Sequence, residues 1–249
     1  MVHEVSVPGN LLLLGEYTIL EPGGLGLTVA PEIRTRITLR AWDRFEIHGN
    51  FAGGILHWSP EKPSTHPLFA EIFSRCNALA LAKPLSLHTV LVSVDSSAFY
   101  ASSGNKLGLG SSGAAAAGLS AALLSLIGLP RHEIRRESAR IALEAHRAVH
   151  NGRGSGYDIC TSVNGSMGLF TGGDHPSWVS TPLNWLPDIH LFSGQAPVAT
   201  HEAVERYQDW KTRYPQKAAG FKTESNRSVL RFIRAASWEE AKRYFLSCR

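Results

Sequence analysis

Cysteine is scarce in this chain: Cys76, Cys160 and Cys248 are the only three in 249 residues, odd in number and widely scattered. They offer no close pair for a zinc site, and the pattern points to reduced thiols in a cytoplasm. Long hydrophobic runs are missing too. Leu11–Leu14 is far too short to span a bilayer, so no membrane association is expected. Met1-Val2-His3-Glu4 lacks the basic region and long apolar core of a secretory signal. Charge of one sign is also lacking: 25 Lys and Arg stand against 21 Asp and Glu, a net charge of +4. The block Arg131–Arg140 mixes His, Glu and Arg on a helical pattern, which reads as a solvated helix face rather than a nucleic-acid stripe. A mildly basic balance suits small anionic substrates. No internal repeat or low-complexity tract occurs. What remains is 43% hydrophobic and 18% charged, enough for one large domain or two smaller ones.

The first part of the chain reads as sheet. Val5 and Val7 lead into a Pro8-Gly9-Asn10 turn and then Leu11–Leu14. From Ile33 to Arg40, Ile33, Thr35, Ile37 and Leu39 alternate with polar neighbours, the period of a half-buried strand. Phe45–Ile47 and Leu87–Val94 are further strand candidates, and Leu68–Leu81 is a helix candidate after a Pro/Ser-rich loop. Ala114–Ile127 reads as a helix buried on most sides, stopped by Gly128 and Pro130. A helix from Arg131 to His150 carries Ile134, Ile141, Ala142, Ala145 and Val149 at helical spacing, with Asn151-Gly152 as its stop. Ile159–Val163 starts another helix, and Met167–Phe170 is extended. A boundary is expected near Gly172–Leu183, dividing the chain into domains at 1–180 and 181–249. Beyond it we expect a strand at Ile189–Phe192 and helices near Thr200–Arg213 and Ser225–Ala236. A final helix opens with the capping box Ser237…Glu240.

Two glycine-rich turns carry the chemistry. Lys106-Leu107-Gly108-Leu109-Gly110-Ser111-Ser112-Gly113 runs straight into Ala114–Ala117. Backbone N–H groups at a helix start lack internal partners and sit at the positive end of the dipole. Glycines there let the chain approach phosphates, although a flexible lead-in to an alanine-rich helix is the plainer reading. Gly108, Gly110 and Gly113 formally satisfy G-x-G-x-x-G. The approach Ser96–Asn105 is loop-like, however, and another helix follows Ile127, so a dinucleotide-binding unit fails on context. No Gly-Lys-Ser/Thr follows, which excludes a P-loop. Ser103-Gly-Asn-Lys106 spells S-x-x-K without its companion motifs. In the second turn, Gly152-Arg153-Gly154-Ser155-Gly156-Tyr157-Asp158, the carboxylate of Asp158 can align or deprotonate a hydroxyl, or simply cap a helix. Gly15-Glu16-Tyr17 likewise holds a strand-end acid or a mere turn residue.

Together these segments resemble a known family. Pro8-Gly9-Asn10 through Gly15-Glu16-Tyr17 to Glu21-Pro22-Gly23 is similar to the N-terminal motif of GHMP kinases, with a phosphomevalonate kinase flavour. Lys106-Leu-Gly-Leu-Gly-Ser-Ser-Gly-Ala resembles that family's phosphate-binding motif. Ala145-His146 with Gly154-Ser-Gly-Tyr-Asp158 is similar to the segment holding the catalytic aspartate. Ser193-Gly194-Gln195-Ala196 with Thr200 resembles a later substrate-side loop.

The resemblance implies an α+β, two-domain fold: an N-terminal mixed α/β domain and a shortened ferredoxin-like C-terminal domain, with ATP and acceptor in the cleft between them. It implies that Gly108, Leu109, Gly110, Ser111, Ser112 and Gly113 hold the ATP phosphates, and that Ser112 is a Mg²⁺ ligand. It assigns Asp158 and Lys106 to catalysis. The acceptor side falls to Asn10, Glu16, Tyr17, Ser155, Gly156, Ser193, Gly194 and Thr200. The implied acceptor is phosphomevalonate, with mevalonate or another small molecule as alternatives and no nucleic-acid partner. Two departures stand out. Asn10 occupies a position where phosphomevalonate kinases usually carry Lys, and the family's third, Gly-rich motif near the C-terminus is not found. A shortened polypeptide, or a diverged and non-catalytic nucleotide-binding protein, are the readings those departures open.

Overall fold

The computed structural model describes residues 3–51, 54–80, 84–152, 154–191 and 200–247. Among them seven α-helices and two sheets form two compact units, each drawn from two stretches of sequence. Residues 1–11 with 30–165 make the first unit, and 12–29 with 166–249 make the second. The mixed α/β architecture agrees with the fold class expected.

In the first unit a five-stranded sheet has the order β1-β4-β7-β5-β6. Its strands are β1 (His3–Pro8), β4 (Arg34–Ala41), β5 (Glu46–Phe51), β6 (Gly54–Trp58) and β7 (Val90–Asp95). β5 and β7 pair in parallel, whereas the β1–β4, β4–β7 and β5–β6 pairs are antiparallel. The alternation read from Ile33 to Arg40 has its cause here. Thr35, Ile37 and Leu39 point into the core while Arg34, Arg36 and Arg40 face outward. Against this sheet lie α1 (Pro67–Asn77), α2 (Ser111–Leu126) and α4 (Tyr157–Asn164), with α3 (Arg131–Val149) packed on those helices.

α2 is the axis of the unit. It packs on α1, α3, α4, β1 and β4 and is buried along most of its length. Its residues, Ser-Ser-Gly-Ala-Ala-Ala-Ala-Gly-Leu-Ser and onward, include no ionisable group. Small side chains let neighbours approach on every side, so the helix has no solvent stripe to give it amphipathic periodicity. Phe69, Ile72, Leu119, Leu123 and Ile141 meet Ile37, Ile47, Val92 and Val94 in the resulting core.

The second unit carries the sheet order β2-β3-β8-β9, with β2 (Leu11–Leu14), β3 (Leu25–Val29), β8 (Met167–Thr171) and β9 (Ser177–Ser180). Helices α5 (Thr200–Arg213), α6 (Pro215–Arg234) and α7 (Trp238–Ser247) complete it. Leu14, Leu27, Val229, Phe232, Ala235 and Ala241 form its core. The turn between β2 and β3 is tied to the helices: Glu21 takes Lys211 Nζ at 2.6 Å, and Asn226 Oδ1 accepts the Leu25 N–H at 2.8 Å. Half of the expected capping box is present: Ser237 Oγ accepts the Glu240 N–H, while the Glu240 carboxylate reaches one residue further back and accepts the N–H of Ala236.

The structure departs from the sequence reading in places. β3 contains Gly26, whose missing side chain leaves room for Ile19 and Leu12, so the strand shows little hydrophobic alternation. Ile189–Leu191 form no strand: Ile189 and Leu191 are exposed, so the apolar run finds no sheet to bury it. Phe192 lies outside the described residues. No described helix is long and apolar enough to cross a membrane.

Candidate active site

The first glycine-rich turn starts α2 at Ser111, three residues ahead of the alanine run. Gly110 is the residue before it, at φ 77° and ψ 34°, in the left-handed region open to glycine. The Ala114 N–H donates to Gly110 O at 3.1 Å, the first bond of the helix. The amides of Ser111, Ser112 and Gly113 therefore stand at the end of α2 where no preceding turn can accept from them. Ser111 is buried and Ser112 half-buried. With no acid in this first turn, the positive end of the dipole is left uncompensated.

Asn10 braces this turn. It is 2% exposed. Its backbone N–H donates to Leu109 O at 3.0 Å, and its Nδ2 donates to Gly110 O at 3.1 Å and to Ser162 Oγ at 3.0 Å. Both side-chain amide hydrogens are thus used within the protein, joining the exit of β1 to the start of α2 and to α4. A side chain on Gly110 would collide with the Asn10 amide.

The second turn starts α4. Gly156, at φ 84° and ψ 7°, precedes the helix, and Asp158 falls in its first turn. Asp158 is therefore not the N-cap; Gly156 holds that position. The carboxylate comes close to α2: a Cβ on Gly113 would lie 3.1 Å from Asp158 Oδ2 and 3.2 Å from Asn10 Nδ2. Gly113 is the gap through which the two turns meet. Ser155 is buried, and its Oγ accepts the Tyr157 N–H at 3.4 Å. The approach to the turn is fixed from α3, where Arg147 donates to Gly154 O and Ser155 O at 3.4 and 3.5 Å. On α4 the Cys160 thiol is pushed up to about 12, first by burial and then by the charge of Asp158, with Arg147 opposing.

The structure thus brings Asn10, Gly110, Gly113 and Asp158 together within the first unit. Lys106 is exposed on the lead-in, bridged to Tyr100 in a short antiparallel contact, and Gly108 and Leu109 connect it to Gly110. Glu16 and Tyr17 belong to the second unit and are exposed; Tyr17 stacks on Tyr207 with ring centroids 5.2 Å apart. Thr200 opens α5, while Ser193 and Gly194 lie outside the described residues. Ser162 and His146 were given no role from the sequence. His146 Nε2 stands 3.8 Å from Asp158 Oδ2, with the two side chains 15% and 21% exposed. The one local signal for His146 was its place in the last turn of a helix leading to the Asp158 turn. Nothing local marks Ser162. Among the described residues no group of three His, Cys, Asp or Glu side chains forms a metal cage.

Comparison with known proteins places this geometry in context. Residues 77–166, which hold α2, α3, α4 and both turns, match the family described as GHMP kinases N terminal domain. The likeness to that family's N-terminal domain is confined to this stretch of the chain. The fold is shared with the Lin0012 protein from Listeria innocua, at TM-score 0.78 and 19% identity, over 100% of this chain and 76% of that one. It is shared with the Streptococcus pneumoniae phosphomevalonate kinase, solved in complex with phosphomevalonate and AMPPNP: TM-score 0.73, 19% identity, 99% of this chain and 78% of that one. The L. major mevalonate kinase in complex with R-mevalonate has TM-score 0.66 and 12% identity, covering 98% of this chain and 73% of that one. No curated protein matches the chain.

Proposed function

We propose that this protein transfers the γ-phosphoryl group of ATP to phosphomevalonate, giving diphosphomevalonate and ADP. The observation that carries this reading is the meeting of the two turns at Gly113. A helix start with no acid of its own in the first turn lies against a carboxylate on the neighbouring helix. The α2 amides and the Ser111 and Ser112 hydroxyls would hold the phosphates. Ser112 Oγ would supply one oxygen to Mg²⁺, which keeps several waters and takes most of its other ligands from the phosphates. Mg²⁺ would neutralise charge on the β- and γ-phosphates when bound. Asp158 would align the acceptor's phosphate oxygen, taking its proton where that phosphate is monoprotonated, as this oxygen bonds to the γ-phosphorus and the bond to the bridging oxygen breaks, releasing ADP. Because phosphoryl transfer has a loose transition state, positioning and charge stabilisation supply most of the rate.

The choice of phosphomevalonate rests on the Lys106–Gly113 and Gly15–Tyr17 motifs and on the fold shared with a phosphomevalonate kinase. Mevalonate and other small hydroxyl compounds are the same-class alternatives. A coupled ADP-release assay with mevalonate, phosphomevalonate, homoserine and galactose tests the assignment. Phosphomevalonate should give the highest kcat/KM, and no stimulation by any of the four would overturn it.

One observation favours a second reading. Asn10 is neutral, buried and saturated by Gly110 and Ser162, so this position brings no cation to a transferred phosphoryl group. A protein that binds nucleotide without turning it over fits that feature. Tight ATP binding in calorimetry, with no ADP release across the acceptors, would favour it.

A further inference from the structure

The corner between α3 and α4 contains a side chain whose geometry goes beyond the reading above. His146 sits in the last turn of α3 with its ring beside His150, centroids 4.5 Å apart, and its Nδ1 lies on the side of Gly154. Gly152, Gly154 and Ser155 are tied back to Arg147 of the same helix. The Gly152 N–H donates to Arg147 O at 2.7 Å, and the Arg147 guanidinium donates to Gly154 O and Ser155 O. The imidazole is 15% exposed, and its Nε2 faces Asp158 Oδ2 at 3.8 Å. Oδ2 is also the oxygen nearest Gly113 on α2.

From this arrangement we propose that His146 is the positioning residue of the site. Its Nε2 holds Asp158 Oδ2, turning Oδ1 to the reacting oxygen of the acceptor. The proposal rests on the kinase reading given above. Contacts of this kind run long in the free protein and tighten when substrate binds. Among the described residues, the charged and titratable groups on the elements around the ring are these. α3 itself contributes Arg147 and His150, and α4 contributes Asp158 and Cys160. α1 turns Glu71, Arg75 and Cys76 toward α3, where Arg75 is paired to Glu71 and Glu144. α2 offers no ionisable side chain. Asp158 is thus the carboxylate within ion-pair reach of His146.

The test has two arms. First, the imidazole ¹⁵N resonances of His146 are recorded in the full-length protein and in Asp158→Asn, with no acceptor present. A clear change at Nε2 is expected, and unchanged shifts would overturn the contact whether or not the protein is a kinase. Second, His146→Ala is expected to lower kcat by roughly tenfold or more with the KM for ATP unchanged. That is a share of the about 10²–10⁴-fold that a placed acid–base group supplies. His146→Gln, whose amide can still donate to Oδ2, should recover most of the loss. Adding His146→Ala to Asp158→Asn should cost nothing further, because the two act as one unit. Full additivity, or equal losses in the Ala and Gln variants, would overturn the role. If no acceptor supports turnover by the unaltered protein while the ¹⁵N shifts respond to Asp158→Asn, the kinase reading has failed and the pair itself stands.

Discussion

The starts of α2 and α4 use one backbone device with opposite charge. Each helix opens on a left-handed glycine, Gly110 at φ 77° and Gly156 at φ 84°. α2 then places two serines and a glycine in its first turn, leaving the positive end of the dipole exposed to an incoming anion. α4 places Asp158 in the same region, so that its dipole is compensated from within. In the function proposed above, the identity of the residue in the first turn, and not the backbone geometry, decides which end would receive phosphate. The two ends converge because Gly113 lacks a side chain.

Removing the charge that separates the two turns should have the largest effect. Asp158→Ala should reduce phosphoryl transfer by about 10²–10⁴-fold, measured as kcat in the ADP-release assay, while calorimetric ATP binding stays close to that of the unaltered protein. An unchanged rate would remove Asp158 from the chemistry and make the two helix starts functionally alike. Next come the glycines themselves. Gly110→Ala forces a left-handed L-residue into the Asn10 amide and should destabilise the fold by roughly 2–4 kcal/mol in urea unfolding. Gly156→Ala carries the conformational cost of its left-handed φ, about 1–2 kcal/mol. A Gly110→Ala loss no larger than that conformational cost would show that Asn10 is not pressed against the first turn.

A smaller effect is expected from the brace. Asn10→Ala leaves the Ser162 hydroxyl without its partner and loosens Gly110, whose carbonyl still receives the Ala114 N–H. We expect a loss of about 1–2 kcal/mol in the same urea measurement, with ATP affinity falling as the α2 turn loosens. The smallest effect at neutral pH concerns the thiols. Burial pushes Cys76 and Cys160 from an ordinary 9.0 up to about 12, with Asp158 adding to the rise at Cys160. The folded protein then holds these protons more tightly than the unfolded chain. Their contribution to stability is whole below about pH 9 and is lost as pH rises from there toward 12. Iodoacetamide at pH 8 should leave both unmodified in the native protein, as peptide mass mapping would show. Rapid modification at Cys160 would mean that α4 opens readily.

Much of this molecule could be read along the chain. The strand at Arg34–Ala41, the helix α3 with its Asn151-Gly152 stop, and the buried α2 follow from residue spacing within a few turns. So does the chemical character of both glycine turns. The limits lie where partners are distant. Asp158 was open to reading as a helix cap, and only the fold shows Gly156 in that place with Asp158 beside it. Asn10 stood out as a missing cation, yet its environment is set by Gly110 and Ser162, far along the chain. β3 was hidden because Gly26 replaces a hydrophobic side chain with space for Ile19 and Leu12.

Residue order alone settles the backbone options of each segment: where glycine permits a left-handed turn, where small side chains permit a helix buried on all sides, and where a carboxylate stands in a first turn. These are short-range preferences, fixed by sterics and charge within a few residues. The meeting of Asn10, Gly113, His146 and Asp158, and the enlistment of residues 12–29 into the second unit, belong to the folded state. They arise from burial and hydrogen bonding between segments more than a hundred residues apart in several cases. No local preference encodes such contacts; they form because packing leaves those polar groups no better partners.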